Sequence, residues 1–170
     1  MTTMTHANAR TRTQPVLVVL DPENPDGTLE NVLRHPDLVD RELHFLLVYP
    51  TKEYETRRRA RIEVGVTSPY AITHLEDEAR RRALHLGYQW LGTKDGTVFA
   101  FGRVGPIPDQ VRDIVEKYGY DQVYLDPKPR SIWQRVLGRI DEATSLARTL
   151  PDITLMAQDS GEHPNIENLR

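Results

Sequence analysis

Apolar runs without alternation, separated by stretches of helical periodicity, set the pattern of this chain. Val16-Leu17-Val18-Val19-Leu20 is the first run. Leu43-His44-Phe45-Leu46-Leu47-Val48-Tyr49 is the second, with His44 its single polar residue. Runs rich in β-branched and apolar residues on both faces predict strands buried on both sides, as in a parallel sheet. Thr97 to Arg103, Gln122 to Leu125 and Ile153 to Ala157 predict three more strands.

Helical signals lie between these runs. Thr28 is placed to cap a short helix carrying Leu29, Val32 and Leu33, with Asn31 at the capping-box position, and His35-Pro36 interrupts or ends it. A short turn at Leu38-Val39 follows, and the charged stretch Lys52 to Gly65 is helical in part. Thr67 or Ser68 caps a long helix with Pro69 in its first turn; Ile72, Leu75, Ala79, Ala83, Leu86 and Trp90 recur along it until Gly92. Asp95-Gly96 marks a turn. Pro108 opens the next helix, with Asp109 in its first turn, a stripe of Val111, Ile114, Val115 and Tyr118, and Gly119 just past its end. Ser131 caps a last helix carrying Ile132, Val136, Leu137, Ile140, Ala143 and Ala147, which Pro151 breaks.

Strand and helix thus alternate five times with no tandem repeat. The pattern predicts an α/β fold: a doubly wound, mostly parallel five-stranded sheet in the order 3-2-1-4-5, a Rossmann-like three-layer sandwich. Two strands end alike, in Leu20-Asp21-Pro22 and Leu125-Asp126-Pro127. Proline donates nothing to a ladder, so each strand stops there. In a parallel sheet both aspartates then stand at carboxyl ends, the edge where open α/β sheets bind ligands.

At 170 residues the chain is long enough for one domain, placed here at residues 15–159 between a polar N-terminal tail (1–14) and a polar C-terminal tail (160–170). There is no cysteine, which excludes a disulfide scaffold, a thiolate metal site and a cysteine nucleophile. Net charge is −3, giving no electrostatic reason to expect nucleic acid. Of 22 Lys and Arg, 18 are arginine, a bias that a GC-rich genome explains. Arg57-Arg58-Arg59 and Arg80-Arg81-Arg82 are charge runs on helices, the second beside Glu76, Asp77 and Glu78, and both read as solvated faces. No apolar run approaches the roughly 20 residues of a membrane span, and residues 1–14 lack the apolar core of a signal peptide. A cytoplasmic protein without direct membrane insertion is expected. His74 and Glu78 lie one turn apart with no second histidine to complete a zinc motif, and no serine sits in a nucleophile elbow.

The order of elements and the residues at their joints resemble the universal stress protein family over about Pro15 to Gln158. Asp21 ends the first strand as an aspartate does in that family. Gly105-Pro106-Ile107-Pro108-Asp109-Gln110-Val111 is similar to its third joint, and Tyr120-Asp121-Gln122-Val123-Tyr124-Leu125 to its fourth strand. The resemblance implies the fold already read from periodicity and an adenine nucleotide, ATP or AMP, as the ligand class. It marks Asp21, Pro22, Val48, Gly105, Asp126, Lys128, Arg130 and Ser131 as the cofactor-binding set. The chain departs from ATP-binding members after strand four. Asp126-Pro127-Lys128-Pro129-Arg130-Ser131-Ile132-Trp133 has none of the glycines that let backbone N–H groups approach phosphates. A regulatory binding protein that does not hydrolyse ATP is therefore expected. The alternatives are an adenine-nucleotide binder with a departed phosphate loop, and a cytoplasmic regulatory partner of a membrane cation transporter. The latter rests on Leu125-Asp126-Pro127, which is similar to stress-protein-like domains of haloarchaeal cation/proton antiporters.

Each site residue also has a local role open to it. Asp21 and Asp126 can hold a ribose hydroxyl or Mg²⁺, or close an Asx-turn before proline. Lys128 and Arg130 can bind an anion at the Ser131 helix start, or stand solvated in a loop. Strand Ile153 to Ala157, last in order, is expected at a sheet edge. With no Lys or Pro inside it, it invites antiparallel pairing with a second copy, and such a homodimer is also what the resemblance implies.

Overall fold

The computed structural model describes residues 14–65, 70–92, 96–125 and 154–156. Five parallel strands form one sheet in the order β3-β2-β1-β4-β5: β1 (Val16–Leu20), β2 (Leu43–Tyr49), β3 (Phe99–Val104), β4 (Gln122–Leu125) and β5 (Thr154–Met156). This is the order that the alternation of periods predicts. The helices are α1 (Pro25–Arg34), α2 (Thr51–Glu63), α3 (Ile72–Leu91) and α4 (Ile107–Tyr118), with a short 3-10 turn at Pro36–Leu38.

The central strands are apolar on both sides because both sides are covered. Val16, Val18 and Leu20 pack with Phe45, Leu47 and Tyr124 under α1 and α3. Leu17 and Val19 pack with Leu46, Val48 and Val123 under Val111, Ile114 and Val115 of α4. Each such side chain, fully buried, contributes roughly 1.5–3 kcal/mol. The connections out to β3 carry α1 and α3 on one face. α4 returns the chain over the other face to β4, beside β1.

Element boundaries depart from expectation at four places. α1 begins at Pro25, not after Thr28: Asn24 is the cap, its Oδ1 accepting the Gly27 N–H at 3.2 Å, and Pro25 takes the first turn where no N–H is needed. β3 runs Phe99–Val104, because its pairing with β2 begins at His44↔Phe99 and ends at Tyr49↔Val104. α4 begins one residue early, at Ile107. α3 begins at Ile72, not at Pro69 behind a Thr67 or Ser68 cap: Ala71 is extended and is the N-cap, its N–H donating to His74 Nδ1 at 3.0 Å. Thr67, Ser68 and Pro69 themselves, the helix from Ser131 to Ala147, residues 1–13 of the N-terminal tail and the whole C-terminal tail lie outside the described residues. Among the described residues no helix is long and apolar enough to cross a membrane.

Candidate functional site

The strand order reverses between β1 and β4. Successive strands move outward from β1 to β3, and the chain then restarts on the other side at β4. At such a switch point the loops following two adjacent strands diverge to opposite faces and leave a crevice at their carboxyl ends. Asp21 leaves β1 there, Tyr49 ends β2, Gly105 follows β3, and Leu125 ends β4.

Asp21 is held by its own loop. Its N–H donates to Thr28 Oγ1 at 3.1 Å, and its Oδ1 accepts the Glu23 N–H at 2.9 Å, closing an Asx-turn ahead of α1. One carboxylate oxygen is thereby oriented by the turn. The buried Thr28 is thus a supporting hydroxyl inside α1, in place of the cap the pattern suggested. Pro22 lies half-buried within the same turn.

Gly105 has φ +146, a region that favours glycine, and its N–H donates to the Tyr49 carbonyl at 2.9 Å. A Cβ there would lie 2.8 Å from Gln110 Nε2 of α4. The glycine therefore keeps the β3–α4 joint tight at the sheet edge. Val48 is fully buried against the α4 side of the core. Its side chain packs, and only its backbone is near the carboxyl edge. Asp126, Lys128, Arg130 and Ser131 lie outside the described residues.

Beside the end of β2 stands a cluster that the charge runs concealed. Arg57 donates to Glu53 Oε1 at 2.7 Å and Glu78 Oε2 at 2.6 Å, and its guanidinium lies 5.4 Å from the Tyr49 ring centroid. The hydrogen bonds to Glu78 and then Glu53 push its pKa further above the ordinary arginine value. Arg61 lies over Tyr70, which stacks between Tyr54 and His74. Arg57 therefore ties α2 to α3 and is not a solvated charge. The spacing of Glu53 and Arg57, four apart, was the available signal.

A second hollow lies elsewhere. A cleft of about 710 Å³ runs along β3, walled by Asp77 and Arg80 of α3 on one side and Tyr118 on the other. At its amino end, Tyr120 hydrogen-bonds His44 Nδ1, and His44 Nε2 meets Glu42 Oε1 at 3.2 Å. Burial first, then the charges of Tyr118 and Glu42, raise the Tyr120 phenol above its ordinary pKa. This chain sits at the opposite end of the sheet from Asp21. Among the described residues no three of His, Asp and Glu converge as a metal site.

In sequence, no protein-family model and no curated protein matches the chain. In structure it is similar to the hypothetical protein MJ0577, at TM-score 0.57 and 15% identity over 86% of this chain and 96% of that one. It is similar also to a universal stress protein in complex with cAMP, at TM-score 0.56 and 16% identity over 86% of this chain and 97% of the other. At these identities the likeness is one of fold: the chain has the universal-stress-protein fold.

Proposed function

We propose that this is a cytoplasmic regulatory protein that binds a nucleotide at the carboxyl edge of its sheet, in the crevice between β1 and β4, without hydrolysing it. The reversal of strand order beside Asp21 carries the proposal, because that is where a parallel sheet opens toward solvent. Support comes from the universal stress protein of the same fold that was solved with cAMP. In this reading the turn-oriented Asp21 carboxylate accepts a ribose hydroxyl.

The segment after β4 bears on the number of phosphates. Asp126-Pro127-Lys128-Pro129-Arg130-Ser131 contains no glycine, and its two prolines offer no N–H. A polyphosphate cradle is built from closely approaching backbone N–H groups. Lys128 and Arg130 supply cationic charge enough for a single phosphate. The ligand is accordingly a nucleoside monophosphate or its cyclic form in preference to ATP.

Titration calorimetry with cAMP, AMP and ATP tests this. The expected Kd for ATP is weaker than about 100 μM, or roughly −5.5 kcal/mol, with AMP or cAMP at least tenfold tighter. Asp21→Ala should weaken the monophosphate about tenfold, the loss of roughly 1.4 kcal/mol expected for a hydrogen bond to a charged group. Low-micromolar ATP binding accompanied by phosphate release, or no binding of either monophosphate at millimolar concentration, would overturn the proposal.

A further inference from the structure

The cleft along β3 changes character from one end of the strand to the other. Phe99, Phe101 and Arg103 alternate along β3 and project from one side of the sheet, since Gly102 between them faces α3. α4 packs on this side over Leu17 and Val19 of β1 and Leu46 and Val48 of β2, and leaves Phe99 47% exposed. At the amino end His44 is paired in register with Phe99, their ring centroids 4.6 Å apart. The Glu42 carboxylate at Nε2 assigns the ring proton to that nitrogen, so Nδ1 accepts from the Tyr120 hydroxyl. Tyr120 has thereby committed its proton, and its oxygen keeps lone pairs for an incoming donor. It is only 6% exposed and lines the cleft, so a donor reaches it from there.

In the middle the wall is aromatic: the Phe101 and Tyr118 rings lie 4.9 Å apart, inclined at 39°. At the carboxyl end charges of both signs converge. The Gly105 N–H donates to Tyr49 O of β2, so Gly102, of opposite parity, turns its carbonyl outward. Arg103 Nη1 donates to that carbonyl at 3.0 Å, which holds its guanidinium at the outer margin of the strand. Asp77 and Arg80 stand exposed on the α3 wall, with the Glu76 carboxylate beside them. None of Asp77, Arg80 and Arg103 makes an ion pair among the described residues. This end therefore offers an unpaired carboxylate together with an unpaired guanidinium.

We propose that this cleft is a second ligand site and that it binds a free aromatic α-amino acid with a para hydroxyl, namely tyrosine. The ligand carboxylate meets Arg103, its ammonium meets Asp77, its ring lies against Phe101 and Tyr118, and its hydroxyl donates to the Tyr120 oxygen. Alternate residues stand about 6.6 Å apart along a strand, so a benzene ring over Phe101 points its two para substituents toward Phe99 and Arg103. The charges select the zwitterion. An acid alone leaves Asp77 without a partner, and an amine alone leaves Arg103 without one, whereas an amino acid satisfies both with charge-assisted hydrogen bonds. The hydroxyl extends a polarised chain through Tyr120 and His44 to Glu42. A cleft of about 710 Å³ with aromatic walls and a few convergent polar groups has the form of a small-molecule site. β2 separates it from β1, so it is distinct from the crevice beside Asp21.

Titration calorimetry of the full chain with L-tyrosine tests the assignment. The expected Kd is about 100 μM or tighter, within the bound for so small a ligand. L-phenylalanine, tyramine and 3-(4-hydroxyphenyl)propionate each lack one of the three polar groups, and each should bind about tenfold more weakly. Arg103→Gln should weaken L-tyrosine about tenfold and leave tyramine unchanged. Asp77→Asn should weaken L-tyrosine about tenfold and leave the propionate unchanged. Tyr120→Phe should erase the preference for tyrosine over phenylalanine. Circular dichroism checks the fold of each variant, and the three analogues probe the same contacts on the wild type. No binding of L-tyrosine at millimolar concentration, equal affinity for tyrosine and phenylalanine, or an unchanged tyrosine Kd in Arg103→Gln would each overturn the proposal.

Discussion

Gly102 is a residue whose missing side chain has a measurable value. With α3 backbone atoms 2.0 and 2.4 Å from the position of its absent Cβ, even alanine forces the helix off the strand. Overpacking of this kind costs about 1–3 kcal/mol. Gly102→Ala should lower the urea midpoint accordingly, and an unchanged midpoint would mean that α3 is looser than described. Tyr120 makes a prediction in pH. Its buried phenol has a pKa raised above the ordinary value of about 10. The folded state thus holds that proton more tightly than the unfolded chain. The associated stability is complete below about pH 10 and is lost as pH rises through the raised value. Wild type should therefore lose stability above pH 10 more steeply than Tyr120→Phe. At neutral pH the variant should be about 1 kcal/mol weaker, for want of the hydrogen bond to His44. Equal alkaline slopes in urea titrations at stepped pH would refute this. Asp21 was legible as a strand-ending carboxylate, and its Asx-turn was one of the two roles its neighbours allowed. Tyr120 and the Arg57 bridge to Glu78 were not, because the partners, His44 and Glu78, are distant in sequence.

At the scale of elements, existence followed from periodicity and boundaries did not. β2 and β4 occupy the residues expected, since proline or glycine and a change of period punctuate both. α1 was misplaced at its start because Asp26-Gly27 resembles a turn. A helix tolerates both in its first turn, where the aspartate favours the macrodipole. Asn24 is thus the residue on which the α1 start depends. Asn24→Ala should destabilise the protein by about 1 kcal/mol, whereas Thr28→Ser, which retains the hydroxyl that Asp21 donates to, should cost less. Chemical denaturation of the two variants checks the order. α2 buries no residue of its own. Its attachment is the Arg57 bridge to Glu78 and the Tyr54 hydroxyl donating to Tyr70 O at 3.0 Å. No hydrophobic period announces such a helix, so only part of it was expected.

At the scale of the molecule, the order of strands was readable because βαβ connections and right-handed crossovers leave few arrangements open. The same order places β3 and β5 at opposite margins of one sheet. A two-fold normal to the sheet at either margin makes a closed pair. Because the sheet twists, two such axes in one molecule are inclined to each other, and the product of two-fold rotations about separated axes is a screw displacement. A chain that paired with itself at both margins would thus grow as an unending ribbon. Selection against fibres therefore acts on the two margins jointly: where one edge meets a twin, the other must be kept from doing the same.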